Sequence, residues 1–391
     1  MTVMREIFPD PESKFIDADR LPRIRDELAT LDVDGLLAFS PANSYYLSGG
    51  YAGMYSRPVV ALVTAETSLV LTPEIERTKV TRTAWTDRAL VYEDTDDPFD
   101  VLATAVAETD VEVLGYDRAA AKPGWVAGFE AASDVTLEDT TDVFLDLRAV
   151  KTPWELEMIR RSRKLATAGM EAYLEGVEQG VTELEVLADV QRAYYDTYLE
   201  AFSEYDIGTA NELGQYGFAS VLTGEHALEP HSLSTARRIE SGDSVVGIAL
   251  PSIQGYVCEE ERTVLVGDVP AHVEEAMATL VEVRNETMDR VVPGVGTHEI
   301  DEFAAAELRA AGYGDQLVHR TGHGEGITIH EGPALNARTE GTLEPGMVIS
   351  IEPGLYFEDD GLGLRHSDTL VVTDDGADRL TPSPDGVLRA D

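Results

Sequence analysis

Thr321-Gly322-His323-Gly324-Glu325-Gly326-Ile327-Thr328-Ile329-His330-Glu331-Gly332-Pro333 is where this chain concentrates its chemistry. Four glycines within eleven residues let the backbone approach a ligand closely. Two histidines seven residues apart can point into one cleft. A glycine-rich turn with incidental histidines is the plainer alternative, but the joint density of Gly and His favours a site.

On the C-terminal side, Ile349-Ser350-Ile351-Glu352-Pro353-Gly354 ends an apolar run with a Glu before a Pro-Gly turn. Strands deliver site residues at such ends, though a solvated strand end reads the same way. On the N-terminal side lies Gly255-Tyr256-Val257-Cys258-Glu259-Glu260-Glu261-Arg262-Thr263. As a strand it puts Glu259 and Glu261 on one face and Glu260 on the other. Two like charges on one face require a cation, a proton or a cationic substrate. The ordinary alternative is a solvated acidic face. Further upstream, Glu229-Pro230-His231-Ser232 places His231 in a loop before Gly242-Asp243, by itself the setting of a surface residue.

The surrounding pattern is helical pairs followed by strands. Thr152-Pro153-Trp154-Glu155 combines an N-cap Thr, Pro at the first helical position and a Glu closing a capping box. It predicts a helix to about Glu178. Thr182 with Glu185 opens a second, to about Glu200. The plan recurs in a helix over Ala271–Val291 and another from His298. Gly180-Val181-Thr182-Glu183-Leu184-Glu185 resembles Gly294-Val295-Gly296-Thr297-His298-Glu299. Strands are predicted at Phe218–Thr223, Val245–Leu250, Tyr256–Val266, Val348–Glu352 and Thr369–Thr373, giving a duplicated ααβ unit. The first third alternates instead. Asp19 starts a helix to about Leu31, Gly35–Phe39 is a strand, and a turn follows at Pro41–Asn43. Strands at Val59–Val63, Leu69–Leu71, near Leu90 and at Val111–Gly115 alternate with helices at Glu74–Ala84, Phe99–Ala107 and Trp125–Ala131, a small α/β domain.

Together these stretches resemble the pita-bread hydrolases: Xaa-Pro dipeptidase, aminopeptidase P, methionine aminopeptidase and creatinase. Gly322–Pro333 matches the peptidase pattern GHGxGxxxHE. Asp34-Gly35-Leu36-Leu37 through Tyr46-Leu47-Ser48-Gly49 is similar to the family's N-terminal opening. Leu147-Arg148-Ala149-Val150-Lys151-Thr152-Pro153-Trp154-Glu155 is similar to the entry into its catalytic domain. The resemblance implies an α+β protein: a creatinase-like α/β domain over residues 1–147 and a duplicated pita-bread catalytic domain over 148–391.

It also implies a ligand set. The peptidases hold two metal ions with Asp, Asp, His, Glu and Glu. Here the His falls on His323 and the first Glu on Glu352. The second Asp falls on Glu259, the first on Ile248, and the last Glu on Ser367, in Arg365-His366-Ser367-Asp368-Thr369. Ile cannot coordinate a metal and Ser is a poor neutral ligand, so a two-metal centre is not expected. Creatinase is the metal-free branch. On its pattern His231 is the catalytic base and Glu261, in Glu261-Arg262-Thr263, binds substrate with Glu352. Arg57 grips a substrate carboxylate across a dimer interface, and Tyr55 lines the pocket. The nearest match to creatinase's other His is His366, one position off, and His330-Glu331 is peptidase-like rather than creatinase-like.

Three readings follow from the resemblance. The leading one is metal-independent C–N hydrolysis of a small amidine-bearing zwitterion, as in creatinase or ectoine hydrolase. Glu261 and Glu352 would clamp the cation, His231 would move the proton, His323 would orient water and His330 would line the site. It implies no cofactor and activity that survives chelation. The alternative is an Xaa-Pro dipeptidase or aminopeptidase with one divalent ion (Mn, Zn or Co) on Glu259, His323 and Glu352. The third is a ligand-binding protein that kept the fold without catalysis. A small-molecule or dipeptide substrate and a homodimer are the expected partners.

Composition narrows the field. Thirty basic against 73 acidic residues give a net charge of −43, which disfavours nucleic acid and anionic membranes as partners. One cysteine, Cys258, excludes an internal disulfide. Met1–Lys14 lacks an apolar signal-peptide core, and no apolar run approaches a membrane span, so a cytoplasmic location is expected. With only five lysines (14, 79, 122, 151 and 164) this acidity resembles that of proteins from salt-accumulating halophiles. Screening of surface repulsion is expected to raise the Tm steeply between low and molar salt. A Tm indifferent to KCl in a thermal melt would contradict the halophile reading.

Overall fold

Residues 5–9, 13–53, 56–208 and 218–391 are described in the computed structural model, and the chain divides between Arg148 and Ala149 into two units with separate cores.

The first unit is built on β1 (Arg5–Ile7), β2 (Gly35–Ala38), β3 (Val60–Thr64), β4 (Ser68–Pro73), β5 (Arg88–Tyr92), β6 (Val113–Tyr116) and β7 (Thr136–Asp139). They form one mixed sheet in the order β1-β5-β4-β3-β2-β6-β7. Its helices are α1 (Arg20–Leu28), α2 (Pro41–Ser48), α3 (Arg77–Thr83), α4 (Pro98–Val106), α5 (Pro123–Ala132) and α6 (Thr141–Ala149). Leu37, Leu62, Leu69 and Leu90 pack against Phe99, Leu102 and Phe129 of α4 and α5. The turn expected at Pro41–Asn43 is instead the start of α2. Ser40 is its N-cap, accepting from Asn43 N, and Pro41 occupies the first turn. The buried Asp117 carboxylate fixes this junction by accepting from Phe39 N, Ser40 N and Asn43 Nδ2 at 2.9–3.0 Å.

The second unit opens with the capping box read from sequence: Thr152 N donates to Glu155 Oε2 and Glu155 N to Thr152 Oγ1. Four helices follow the expected plan: α7 (Pro153–Gly176) and α8 (Glu183–Ala201), then α9 (Ala271–Met288) and α10 (Thr297–Ala310). After the first pair come β8 (Phe218–Thr223), β9 (Ser244–Leu250), the short hairpin β10 (Ser252–Ile253) and β11 (Tyr256–Val257), and β12 (Glu260–Val266). After the second pair come β13 (Gly322–Gly324), β14 (Glu331–Leu335), β15 (Val348–Ile351), the hairpin β16 (Gly354–Phe357) and β17 (Leu362–Arg365), and β18 (Ser367–Val372). The single strand expected over Tyr256–Val266 is thus split. Gln254 and Gly255, both at positive φ, turn the β10–β11 hairpin before β12 begins.

The sheet runs β14-β13-β15-β18-β12-β9-β8, so β8-β9-β12 from one half face β13-β15-β18 from the other about a central seam. The duplication read from the helix caps extends to detail. Gly180 and Gly294 both take positive φ (92° and 85°), and Thr182 and Gly296 each form an isolated bridge, with Arg238 and Thr342. At the seam β12 and β18 pair through only Glu260↔Asp368 and Glu261↔Ser367. Buried ions reinforce it: Asp368 receives Arg262 at 3.0 Å, Arg284 at 2.9 Å and Arg379 at 2.8 Å. No described helix is long and apolar enough to cross a membrane.

Candidate active site

The seam brings the sequence candidates together. Glu259 immediately precedes β12, His323 lies on β13 opposite Ser350, and Glu352 follows β15. One ligand atom from each of Glu259, His323 and Glu352 lies within 4.8 Å of the other two. His323 Nδ1 lies 3.2 Å from Gly324 O and donates to it, so Nε2 is the ring nitrogen that faces the carboxylates. Nε2 is buried, 3.3 Å from Glu352 Oε1 and 3.8 Å from Glu259 Oε2, without hydrogen-bond geometry to either. Glu259 Oε1 is already occupied by the hydroxyls of Ser367 (2.7 Å) and Ser350 (3.1 Å), which turns Oε2 toward His323.

Electrostatics show what the cluster lacks. Burial pushes the His323 pKa down, but contact with Glu352 and the charges of Glu352, Glu259 and Glu325 together raise it to about 10. Glu352 is pushed up by burial yet held at about 2 by His323, Arg365 and His319. Glu325 is raised to about 8 by burial and then by Glu259. The raised His323 and Glu325 values both report negative charge concentrated at this point. A divalent cation on Glu259, His323 and Glu352 offsets that charge, and the N,O donor set suits Mn, Co or Zn. The other two peptidase ligand positions do not fit a second ion. Ile248 belongs to an apolar cluster with Leu222, Val246, Leu250 and Val257. Ser367 is committed to Glu259 and lies 2.8 Å from Ser350 Oγ.

The remaining candidates are distributed as follows. His330 stacks edge-on against His323, ring centres 4.3 Å apart, and His231 approaches His330 at 5.9 Å. Burial, then the His323 charge, lowers His330 to about 4 despite Glu352, with Arg320 and His231 acting in the same direction as His323. His330 is therefore neutral near pH 7. Glu331 is bound by buried Lys151 at 2.9 Å, a structural pair. The cation that Glu261 requires comes from the chain itself. Arg365 spans both its oxygens at 2.5 and 2.6 Å. Burial pushes Glu261 upward, Arg365 pulls against it, and Glu259 and Glu352 push with burial. An amidinium clamp made of Glu261 and Glu352 thus finds one arm taken. Arg57 forms a two-pronged pair with Asp94 at 2.7 and 2.9 Å within the first unit. Tyr55 lies outside the described residues. His366 is buried, accepting from Thr263 N at Nδ1 and facing Gly386 O with Nε2.

Sequence reading missed Arg365, Glu325 and the pair His319–Tyr356. Arg365 carried a signal in the stretch Arg365-His366-Ser367-Asp368-Thr369, two positions before the ligand position that falls on Ser367. A cavity of about 660 Å³ opens above the cluster, lined by Pro230, His231, Val318, His319, Arg320, His330, Glu352 and Arg365. A hydrolysable bond held there would lie between carboxylates, neutral imidazoles and guanidinium groups, the parts needed to activate water and protonate a leaving nitrogen.

Residues 157–374 match the model of metallopeptidase family M24, and residues 20–150 that of the creatinase/prolidase N-terminal domain. A relative, the Xaa-Pro dipeptidase of Pyrococcus furiosus, is 29% identical over 368 residues, covering 93% of this chain and 97% of its own. Among solved structures, the prolidase of Pyrococcus horikoshii superposes with a TM-score of 0.80 at 25% identity, over 94% of this chain and 99% of that one. Dipeptidase PepE of Mycobacterium ulcerans does so with a TM-score of 0.80 at 26% identity, over 95% and 97%.

Proposed function

The chain belongs to metallopeptidase family M24, and from that premise we propose that its cleft hydrolyses the peptide bond of Xaa-Pro dipeptides with a single divalent ion. The chain is a hydrolase of C–N bonds by family; the dipeptide and the single ion are the finer reading. The observation that carries it is the convergence of Glu259, His323 and Glu352 around the buried, unsatisfied Nε2 of His323. The metal-free reading placed first from sequence is set aside in its favour. The relatives named above are dipeptidases, and Arg365 already neutralises the Glu261 arm of the proposed clamp.

Bound at these three residues, a divalent ion supplies Lewis acidity and lowers the pKa of water. The protein's own groups do the rest. Ser350 and Ser367 hold Glu259 in its ligating orientation. His330, neutral near pH 7 and lining the cavity, would hydrogen-bond the carbonyl of the scissile bond. His231, exposed at the cavity mouth, can exchange protons with solvent and deliver one to the departing nitrogen. Arg365, bound to both Glu261 oxygens, holds that side chain in place beside Glu352.

The test is hydrolysis in molar KCl of a panel of Xaa-Pro dipeptides, with Ala-Ala and creatine as controls. Proline release from the Xaa-Pro members is expected. Creatine cleavage that persists in a chelator, with no proline release, would return the reading to the metal-free branch.

A further inference from the structure

We propose that Glu183, at the start of α8, is a positioning residue that acts through His231 by pinning both ends of the loop that carries it. The role of His231 rests on the peptidase reading above; the pinning does not. His231 sits in segment 224–234, between the end of β8 and Thr235. Of the side chains at 225–234 only Ala227 is buried, and Leu233 is 65% exposed. A segment with so little apolar burial opens easily unless polar contacts hold it.

The Glu183 side chain is buried, and its two oxygens divide the work between the two ends of the loop. Oε1 accepts from Thr223 N at 2.8 Å and from His226 Nδ1 at 3.0 Å on the outgoing side. Oε2 accepts from Thr235 N at 2.6 Å and Thr235 Oγ1 at 2.8 Å on the return. Hydrogen bonds to an ionised acceptor are roughly twice as strong as neutral ones. The main chain completes the junction. Glu183 N donates to Arg237 O at 3.0 Å and Leu184 N to Thr235 O at 3.2 Å, so the returning chain also caps the first turn of α8. Ser234 with Val221, and Asp243 with Thr223 and Arg237, reinforce the same base. Nearer the tip, Arg365 Nη2 donates to Pro230 O, the residue before His231, at 3.3 Å. His231 is thus offered to the cavity from a loop held at its base by Glu183.

The experiment uses Glu183→Gln, which keeps the shape but has one oxygen where two are needed, and Thr235→Ala, which removes a single donor. Kinetics of the metal-loaded protein on an Xaa-Pro dipeptide are measured for each variant, alone and combined with His231→Ala. Hydrogen exchange is followed over 224–234. Glu183→Gln is expected to lower kcat on the order of 10- to 10²-fold with KM changed less than about twofold, as for a catalytic group displaced by about 1 Å. In the His231→Ala background the same substitution is expected to change kcat by less than about twofold, because the group it positions is gone. A general folding defect would instead multiply with His231→Ala, and independent losses of that kind overturn the proposal. Exchange over 224–234 is expected to rise about tenfold while β12 and β18 stay unchanged, and no rise in either variant also overturns it. Thr235→Ala decides by the same criteria if Glu183→Gln does not fold. If dipeptides are cleaved and His231→Ala is fully active, the proposal falls. If no dipeptide is cleaved but the loop loosens in Glu183→Gln, the peptidase reading falls and the pinned loop stands.

Discussion

Stripping the protein with EDTA in molar salt is expected to abolish proline release from an Xaa-Pro dipeptide, and one equivalent of Mn, Co or Zn per chain to restore it. Elemental analysis of the reloaded protein should give one ion per chain. Two would mean that a second site exists despite Ile248 in its apolar cluster and Ser367 bonded to Glu259. His323→Ala is expected to lower kcat/KM by roughly 10³-fold or more, because an ion supplies several kcal/mol of charge stabilisation in the transition state. Because His323 is buried against Glu352 and His330, the variant's Tm is measured beside its kinetics, and a loss of kcat/KM in protein that still melts cooperatively is the expected result. Full activity in EDTA would sink the metal reading and leave the creatinase-like one.

Arg365→Ala is the second large effect, and it concerns stability as well as catalysis. Glu261 is buried, and without Arg365 it faces Glu259 and Glu352 with nothing to balance its charge. Removing one partner of a buried pair costs about 3–5 kcal/mol. The cost should depend on pH in a defined direction. A carboxyl whose folded pKa lies above the unfolded value of about 4.3 favours the folded state below that pH. That contribution is lost as pH rises toward the folded pKa. Deleting Arg365 raises the folded pKa of Glu261 further, so the variant should lose most against the parent at pH 7–8 and least near pH 5. Glu261→Gln added to Arg365→Ala should recover much of the loss, because no charge is then stranded. Denaturant midpoints across this pH range would show it. A loss that does not change with pH would assign the effect to packing of the Arg365 stem instead.

Local signals carried the fold well. Thr152-Pro153-Trp154-Glu155 and Thr182 with Glu185 are short-range statements about helix ends, and both capping boxes are present. The His323 stretch was legible because a glycine-rich backbone with two histidines is an uncommon local composition. What escaped depends on partners far apart in sequence. Glu261 and Arg365 are separated by 104 positions and meet because β17 runs close to β12. No spacing within either segment announces that ion pair, so Glu261 read as awaiting a cationic substrate. Ser40-Pro41 misled for another reason: Ser-Pro begins turns and helices alike, and Asp117, 77 positions from Ser40, helps hold the helical choice. Glu358-Asp359-Asp360-Gly361, between Gly354–Phe357 and Leu362–Arg365, is a hairpin signal legible in the sequence, although no strand was expected on either side of it.

The seam between β12 and β18 gives the ligand cluster a mechanical meaning. Glu259 comes from the first half of the duplicated unit, His323 and Glu352 from the second. An ion held by all three would be a rivet through two plates at the point where β12 and β18 join by two residue pairs. A second fastener, Arg262 on one plate paired with Asp368 on the other, is buried where dissolved salt screens poorly. Surface and centre would then answer to different solutes: the acidic exterior to bulk salt, the join between the plates to a trace ion. Filling the rivet hole at a hundred times its Kd would tighten the join by about 2.7 kcal/mol. The state of the active site would then be written into how readily the two halves come apart.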